Sequence, residues 1–152
     1  MRVRLSYGSS GLESDLPESP GFQGLLASGQ PEPVSSPKDQ LEQALEHPIA
    51  SSSLEEIVRQ KTHALGTGTS AVIVISDITR AAPNPLLLPP ILKTLERCGV
   101  RRGNITILIA TGIHRTNVGQ EMITLVGPEI VQDYVVINHD STDAHWKMNC
   151  GQ

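Results

Sequence analysis

The feature that most constrains this chain is an apolar run that leads directly into a polar turn, within Ala71–Arg80. Ala71–Ile75 is rich in β-branched residues and shows no polar alternation, which is typical of a parallel strand covered on both faces. Four polar residues follow it closely: Ser76, Asp77, Thr79 and Arg80. Because ligands of open α/β sheets bind beyond the carboxyl ends of the strands, this turn is a candidate site. The alternative is an exposed turn with a surface Asp–Arg pair, worth about 1 kcal/mol at most.

The same pattern recurs twice further along the chain. A second apolar run, Asn104–Ala110, is followed by Thr111, Gly112, His114 and Arg115, and a third, Tyr134–Ile137, is followed by Asn138, His139 and Asp140. The spacing of roughly 30 residues between the first two runs is that of a right-handed βαβ unit. Three parallel strands would therefore bring three polar clusters to one edge of a sheet.

Cap and stop signals predict the helices between these strands. The predicted helices cover 37–46 behind Ser36, 54 to about 64 behind a Ser53–Glu56 capping box, Pro89 to Gly99, and a segment capped by Asn117 with Gln120 and ended by Gly127–Pro128. Ile57 is expected to be buried in the second of these helices. Residues 2–7 predict an opening strand, and residues 8–14 a turn.

These elements predict an α/β fold: a Rossmann-like, three-layer domain with a mainly parallel sheet, preceded by an N-terminal β segment. We expect three regions. Residues 1–36 form the N-terminal strand and an extended segment rich in Pro, Gly and Ser, 37–140 form the α/β domain, and 141–152 form an irregular, truncated tail.

Composition disfavours several classes of protein. The 12 basic and 16 acidic residues give a net charge of −4, and one Phe, two Tyr and one Trp offer few stacking platforms, so we expect no nucleic-acid partner. Two cysteines outside any CxxC motif favour a reducing compartment. No apolar run reaches the roughly 18 residues of a membrane span, so a cytoplasmic protein without membrane contact is expected.

Several side chains at the strand ends are suited to chemistry. His114 is the candidate general acid or base, since an imidazole exchanges protons near neutral pH. Arg80 and Arg115 are candidates for binding a carboxylate or phosphate by two points. Asp77 would orient an imidazole, an arginine or a substrate hydroxyl. The alternatives are a surface histidine, solvated arginines and an Asx turn.

A metal site is a weaker hypothesis. His139, Asp140, Asp143 and His145 are chemically suitable ligands, but no short helical or hairpin spacing fixes any two of them. We therefore predict no metal site in this chain and a solvated polar segment instead.

Four motifs in order resemble the N-terminal domain of the nickel-dependent lactate racemase family: YGSSGLESDLP, SDITRAAPN with LLLPPIL, ITILIATGIHR, and VVINHD. The resemblance implies a 2-hydroxy-acid racemase or epimerase that works by proton-coupled hydride transfer with a nickel-pincer nucleotide. It implies that His114 is one of two catalytic histidines and that Asp77 and Arg80 line the cofactor and substrate cleft, beside Thr79 and Arg115. Proline is commoner than Ala81 at that position of the family, and AHWKMNCGQ departs from the expected apolar continuation.

The resemblance also implies parts that this chain lacks. The family's second histidine, its cofactor-attaching lysine and its nickel-binding histidine belong to later segments, so Lys147 and His145 are not their counterparts. A C-terminal domain of the same family is the expected partner, a small 2-hydroxy acid the expected substrate, and the isolated chain is expected to be inactive. The alternatives are a non-catalytic module that binds a small anionic metabolite or nucleotide, and a folded remnant without function.

Overall fold

The computed structural model describes residues 1–17, 21 and 35–143, and the chain divides into two compact units, Met1–Val34 and Ser35–Gln152. Most of the predicted extended segment lies outside the described residues. In the first unit, strand β1 (Arg2–Leu5) pairs antiparallel with strand β2 (Leu12–Asp15). The opening strand was predicted, whereas β2 occupies part of the predicted turn. Gly11 allows this tight reversal, because its φ of +76° favours glycine and an added Cβ would lie 2.9 Å from the Arg4 side chain.

The second unit contains the α/β arrangement. Its helices are α1 (Pro37–Glu46), α2 (Leu54–Leu65), α3 (Asn84–Arg97), α4 (Gln120–Val126) and α5 (Pro128–Asp133). Its strands are β3 (Ala71–Ser76), β4 (Ile105–Ala110) and β5 (Val135–Asn138). The strands form one parallel sheet in the order β3-β4-β5, so the predicted α/β class, parallel sheet and N-terminal β segment are confirmed.

The core lies between one face of this sheet and the helices. Ile105, Ile107 and Ile109 of β4 are completely buried, and they cluster with buried residues of four helices, α2 to α5. On the helices the buried members are Val58, Leu88, Leu92, Leu95, Leu125, Val126 and Ile130. Burying such a side chain contributes about 1.5–3 kcal/mol. Within the described residues, no helix is long and apolar enough to cross a membrane.

Strand β3 differs from the prediction that both of its faces are covered. Val72 and Val74 are 61% and 62% exposed, whereas Ile75 is buried. The apolar run therefore belongs to an edge strand with one covered and one open face. The described residues supply the sheet and one helix layer of the predicted three-layer arrangement.

Helix α3 begins earlier than predicted. The sequence placed Ala81–Pro85 in a loop and the helix start at Pro89–Pro90, but the helix begins at Asn84 and contains both of those prolines. Neither proline can donate a backbone hydrogen bond, and a proline inside a helix costs about 3 kcal/mol. The deep burial of Leu88 and Leu92 on either side of them offsets this cost.

The remaining helices follow the sequence with local corrections. The capping box is confirmed: the Glu56 amide donates to Ser53 Oγ and the Ser53 amide to Glu56 Oε2. Ile57 is exposed, contrary to the prediction. Asn117 does not cap α4, whose N-cap is Gly119. Gly127 ends α4 as predicted, and Pro128 begins a further helix, α5, that was not predicted.

Leu88→Ala is expected to lower the free energy of unfolding by about 2–5 kcal/mol, because it removes buried methyl groups and leaves a cavity. Leu86→Ala, on the same helix at an exposed position, is the matched control and should change it by less than about 1 kcal/mol. Urea unfolding followed by circular dichroism measures both. Equal losses in the two variants would contradict this assignment of the core.

Candidate active site

The loops after β3 and β4 bring together an aspartate and a histidine that lie 37 residues apart. Asp77 follows β3 directly, and His114 lies four residues beyond the end of β4. His114 Nδ1 and Asp77 Oδ2 are 2.5 Å apart, and the two side chains are 50% and 5% exposed respectively. A buried carboxylate therefore supports an imidazole whose other edge faces solvent.

The ionisation of Asp77 fixes the tautomer of this imidazole. Hydrogen bonds from Thr79 and His114 lower the pKa of Asp77 below its ordinary value, so the carboxyl group is ionised at neutral pH and can only accept. The neutral histidine must then carry its proton on Nδ1 and donate it to Asp77, which leaves the Nε2 lone pair available. This arrangement equips His114 to act as a base at Nε2.

Both oxygens of Asp77 are engaged within the site. Oδ2 accepts from His114, while Oδ1 accepts from the Thr79 hydroxyl at 2.6 Å and from the Thr79 amide at 3.2 Å. Thr79 thus holds the carboxylate rather than facing a ligand with its hydroxyl proton. The Arg80 amide donates to the Asp77 carbonyl at 3.1 Å, which closes the turn.

Side-chain hydrogen bonds connect the carboxyl ends of the three parallel strands. Asn117 Oδ1 accepts from the Ile78 amide at 3.3 Å, and the Asn117 amide donates to Asn138 Oδ1 at 2.8 Å. Asn138 Nδ2 returns a bond to the Asn117 carbonyl at 3.0 Å. The Thr111 hydroxyl donates to the His139 carbonyl. Asn117 was predicted to cap a helix and not to have this role, for which its place in the chain between β4 and β5 was the only signal.

Arg115 and Arg80 have different surroundings. Arg115 forms a two-point ion pair with Glu121, with both N–O distances at 2.6 Å. Arg80 is exposed, and its guanidinium has no hydrogen-bond or ion-pair partner among the described residues. Of the two predicted anion-binding arginines, Arg80 is therefore the one whose donors remain open to a ligand.

Asn84 is a further polar group that was not predicted from the sequence. It is buried at the first position of α3, four residues after Arg80, and its Nδ2 has no hydrogen-bond partner in the described part of the chain. The α3 amides themselves are satisfied, since those of Leu86 and Leu87 donate to the Pro83 carbonyl. The side chain of Asn84, and not the helix end, is thus the unused donor here.

His139, Asp140 and Asp143, the described residues of the metal hypothesis, do not form a metal-binding cluster. Across residues 1–17, 21 and 35–143, no group of three or more His, Cys, Asp or Glu side chains is arranged to hold a metal ion. Asp140 instead accepts from the Thr142 hydroxyl at 2.6 Å. His145 lies outside the described residues.

Comparison with known proteins assigns this chain to a family. Residues 7–152 match the family described as the lactate racemase N-terminal domain. The chain belongs to the lactate racemase family. It is 33% identical over 144 residues to the lactate racemase of Thermoanaerobacterium thermosaccharolyticum and 34% identical over 117 residues to that of Lactiplantibacillus plantarum. These matches include 93% and 77% of this chain, but only 32% and 26% of the two relatives.

The fold comparison agrees with the family assignment. The lactate racemase apoprotein of Thermoanaerobacterium thermosaccharolyticum superposes with a TM-score of 0.73 at 32% identity, over 95% of this chain and 31% of the relative. The chain therefore has the fold of the N-terminal domain of a lactate racemase, and it spans between a quarter and a third of the length of these relatives.

The ion pair between Arg115 and Glu121 gives a testable pH dependence. The Arg115 guanidinium and the Asn117 amide lower the pKa of Glu121 from 4.5 to about 2. A carboxyl group with a lowered pKa stabilises the folded state above its unfolded value, and this contribution is lost as the pH falls. Glu121→Gln should therefore lower stability near pH 6, and its difference from the wild type should shrink between pH 4.5 and about 2.

Urea unfolding across this pH range measures the effect, with Glu42→Gln on α1 as the control. Glu42 is exposed, and the described residues give it no ion-pair partner. A difference for Glu121→Gln that stays constant with pH would show that the ion pair does not stabilise the fold.

Proposed function

We propose that this chain is the N-terminal catalytic part of a 2-hydroxy-acid racemase or epimerase. The observation that carries this proposal is the buried Asp77 carboxylate in contact with the half-exposed His114 imidazole, in a chain of the lactate racemase family. Arg80 follows Asp77 by three residues, and its guanidinium has no partner among the described residues. The relatives are named lactate racemases, so lactate and its longer analogues are the proposed substrates.

Arg80 and His114 would divide the work on the substrate. The Arg80 guanidinium would pair with the substrate carboxylate, since it presents donors in a fixed planar fork. His114 Nε2 would take the proton of the 2-hydroxyl group, and Asp77 would stabilise the imidazolium that forms. When the planar keto acid is converted back, His114 would return the proton to the oxygen.

The cofactor of the family fits the donors present here only in part. The nickel-pincer nucleotide is anionic, which suits the exposed Arg80 guanidinium as a bordering group. The chemistry that this group supplies when bound is reversible acceptance of a hydride. The resemblance to the family places the nickel ligand and the lysine attachment in later segments, so the proposed C-terminal partner would supply both.

His114→Ala should abolish racemisation when the chain is part of a complete racemase and leave the protein folded. The reason is that the half-exposed imidazole contributes little packing while supplying the base. Conversion of L-lactate to D-lactate by the cofactor-loaded protein measures this, with His63→Ala on α2 as a matched exposed control. Unchanged turnover in the His114 variant would refute the assignment.

Arg80→Lys should reduce kcat/KM by about 10-fold or more, because an ammonium group cannot form the two parallel bonds of a guanidinium. Arg101→Lys is the control, since this exposed arginine lies before β4, at the opposite edge of the sheet. A binding titration with a hydroxy acid separates the two candidate functions. A binding module without turnover would bind the hydroxy acid saturably, and the affinity would depend on Arg80 but would not change in His114→Ala.

A further inference from the structure

The loop between β4 and α4 carries His114, and beyond its first residue, Thr111, it contains a single buried residue. The loop ends at Gly119, directly before α4. Within residues 112–119, Asn117 is only 2% exposed, whereas the other seven residues are exposed. The imidazole of His114 is itself half-exposed, so packing constrains it little. Its position therefore depends on the loop, and the loop is anchored at Asn117.

All four polar groups of Asn117 are hydrogen-bonded. Its backbone amide donates to Asn138 Oδ1 at 2.8 Å, and its carbonyl accepts from Asn138 Nδ2 at 3.0 Å. In the side chain, Oδ1 accepts from the Ile78 amide and Nδ2 donates to Glu121 Oε2, both at 3.3 Å. Asn117 thus joins its own loop to the turn after β3, the end of β5 and the first turn of α4.

The two side-chain partners fix which way the Asn117 amide points. The backbone N–H of Ile78 can only donate. Glu121 can only accept, because the Arg115 guanidinium and the Asn117 amide lower its pKa to about 2 and keep it ionised at neutral pH. The oxygen of the amide must therefore face Ile78, and its nitrogen must face Glu121. A carboxylate at this position would lack the donor, and an aliphatic side chain would lack both groups.

The bond from Asn117 to Ile78 runs beside the contact between the candidate base and its carboxylate. Ile78 directly follows Asp77, and Asn117 lies three residues after His114. The same two loops are therefore joined twice, once by Asn117 and once by the 2.5 Å contact between His114 Nδ1 and Asp77 Oδ2. A shift of the loop by about 1 Å would stretch that contact to the limit of a hydrogen bond.

We infer that Asn117 is a positioning residue, which holds the His114 imidazole against the Asp77 carboxylate. Asn117 acts through the loop, and Glu121 acts through Asn117 by fixing the orientation of its amide. This inference rests on the proposed function only in naming His114 as the base. Without the amide, the loop would move and the imidazole would leave Asp77, so His114 would lose its preference for a proton on Nδ1.

The first test measures the tautomer of His114 in this chain alone. Nitrogen-15 NMR of the imidazole at about pH 9, where histidines are ordinarily neutral, distinguishes the two tautomers. The wild type should carry the proton on Nδ1, where Asp77 accepts it. In Asn117→Ala the population of this tautomer should fall, and the form with the proton on Nε2, which predominates in free histidine, should become the major one.

Asn104→Ala is the matched control for this measurement. Asn104 also connects two strands through its side chain, since its Nδ2 donates to the carbonyls of Thr67 and Thr69 at 3.4 and 3.1 Å. It lies directly before β4, at the opposite edge of the sheet from His114. This control should lower the melting temperature and leave the His114 tautomer unchanged, which separates positioning of the imidazole from a general loss of stability.

The second test uses a full-length chimera, in which this chain replaces the matching third of the Thermoanaerobacterium thermosaccharolyticum lactate racemase. Asn117→Asp keeps the side-chain shape and the acceptor for Ile78, but it places a second carboxylate beside Glu121. It should lower kcat for lactate by about 10- to 100-fold and change KM far less, because the base is misplaced by a fraction of an ångström to about 1 Å.

A second substitution should rescue this variant. Glu121→Gln, added to Asn117→Asp, supplies an amide that can donate to the new carboxylate and leaves the net charge as in the wild type. The double variant should recover most of the lost kcat and of the Nδ1 tautomer. A double variant no better than Asn117→Asp would overturn the role of Glu121.

Other outcomes decide the role of Asn117. An unchanged His114 tautomer in a folded Asn117→Ala chain would overturn the inference, and so would a wild-type imidazole with its proton on Nε2. Should the alanine variant not fold, Asn117→Asp replaces it in the NMR measurement, with the same loss of the Nδ1 tautomer expected. A wild-type chimera without turnover would count against the proposed function alone, because the tautomer is measured without turnover.

Discussion

Burial of one face of the central strand β4 is the constraint on which the rest of the second unit depends. Ile105, Ile107 and Ile109 are fully buried beneath helices, and β4 pairs with a parallel neighbour on each side. This fixes the register of β3 and β5 against it. Ser76 pairs with Ala110, so the chain leaves β3 and β4 at the same level of the sheet. The contact between Asp77 and His114 is therefore a consequence of sheet register.

The positions of the strands could be predicted from the sequence, whereas their environments could not. Short runs of β-branched residues bounded by polar turns define β3, β4 and β5 with errors of one residue. An uninterrupted run, however, does not distinguish a central strand from an edge strand with one apolar open face. Val72 and Val74 were expected to be covered for this reason. The start of α3 was predicted wrongly for a different reason. Local propensity favoured a start at Pro89, whereas the buried Leu88 packs from within a helix that extends to both sides of it.

The candidate site was predictable to the extent that it follows from topology. Parallel strands deliver their carboxyl ends to one edge, which places Asp77, Thr79, Arg80 and His114 in one region. The partners of individual side chains depend on loop geometry that no spacing reveals. Arg115 forms an ion pair with Glu121, six residues later in α4. Asn117 forms hydrogen bonds at the ends of β3 and β5 instead of capping a helix. Asn84 was not predicted to be buried, because the segment that contains it was interpreted as a loop.

The two arginines of the candidate site differ, because among the described residues only Arg115 has a charged partner. Both oxygens of Asp77 already accept hydrogen bonds, one from Thr79 and one from His114, and the surface pair with Arg80 that the sequence also allowed is not formed among the described residues. Glu121, the acidic group paired with Arg115, is likewise occupied at both oxygens. Arg80, three residues after Asp77, has no such partner among the described residues, so its guanidinium donors stay available. A bound carboxylate would pair with it without first displacing an internal partner, which lowers the cost of binding an anion at this edge of the sheet.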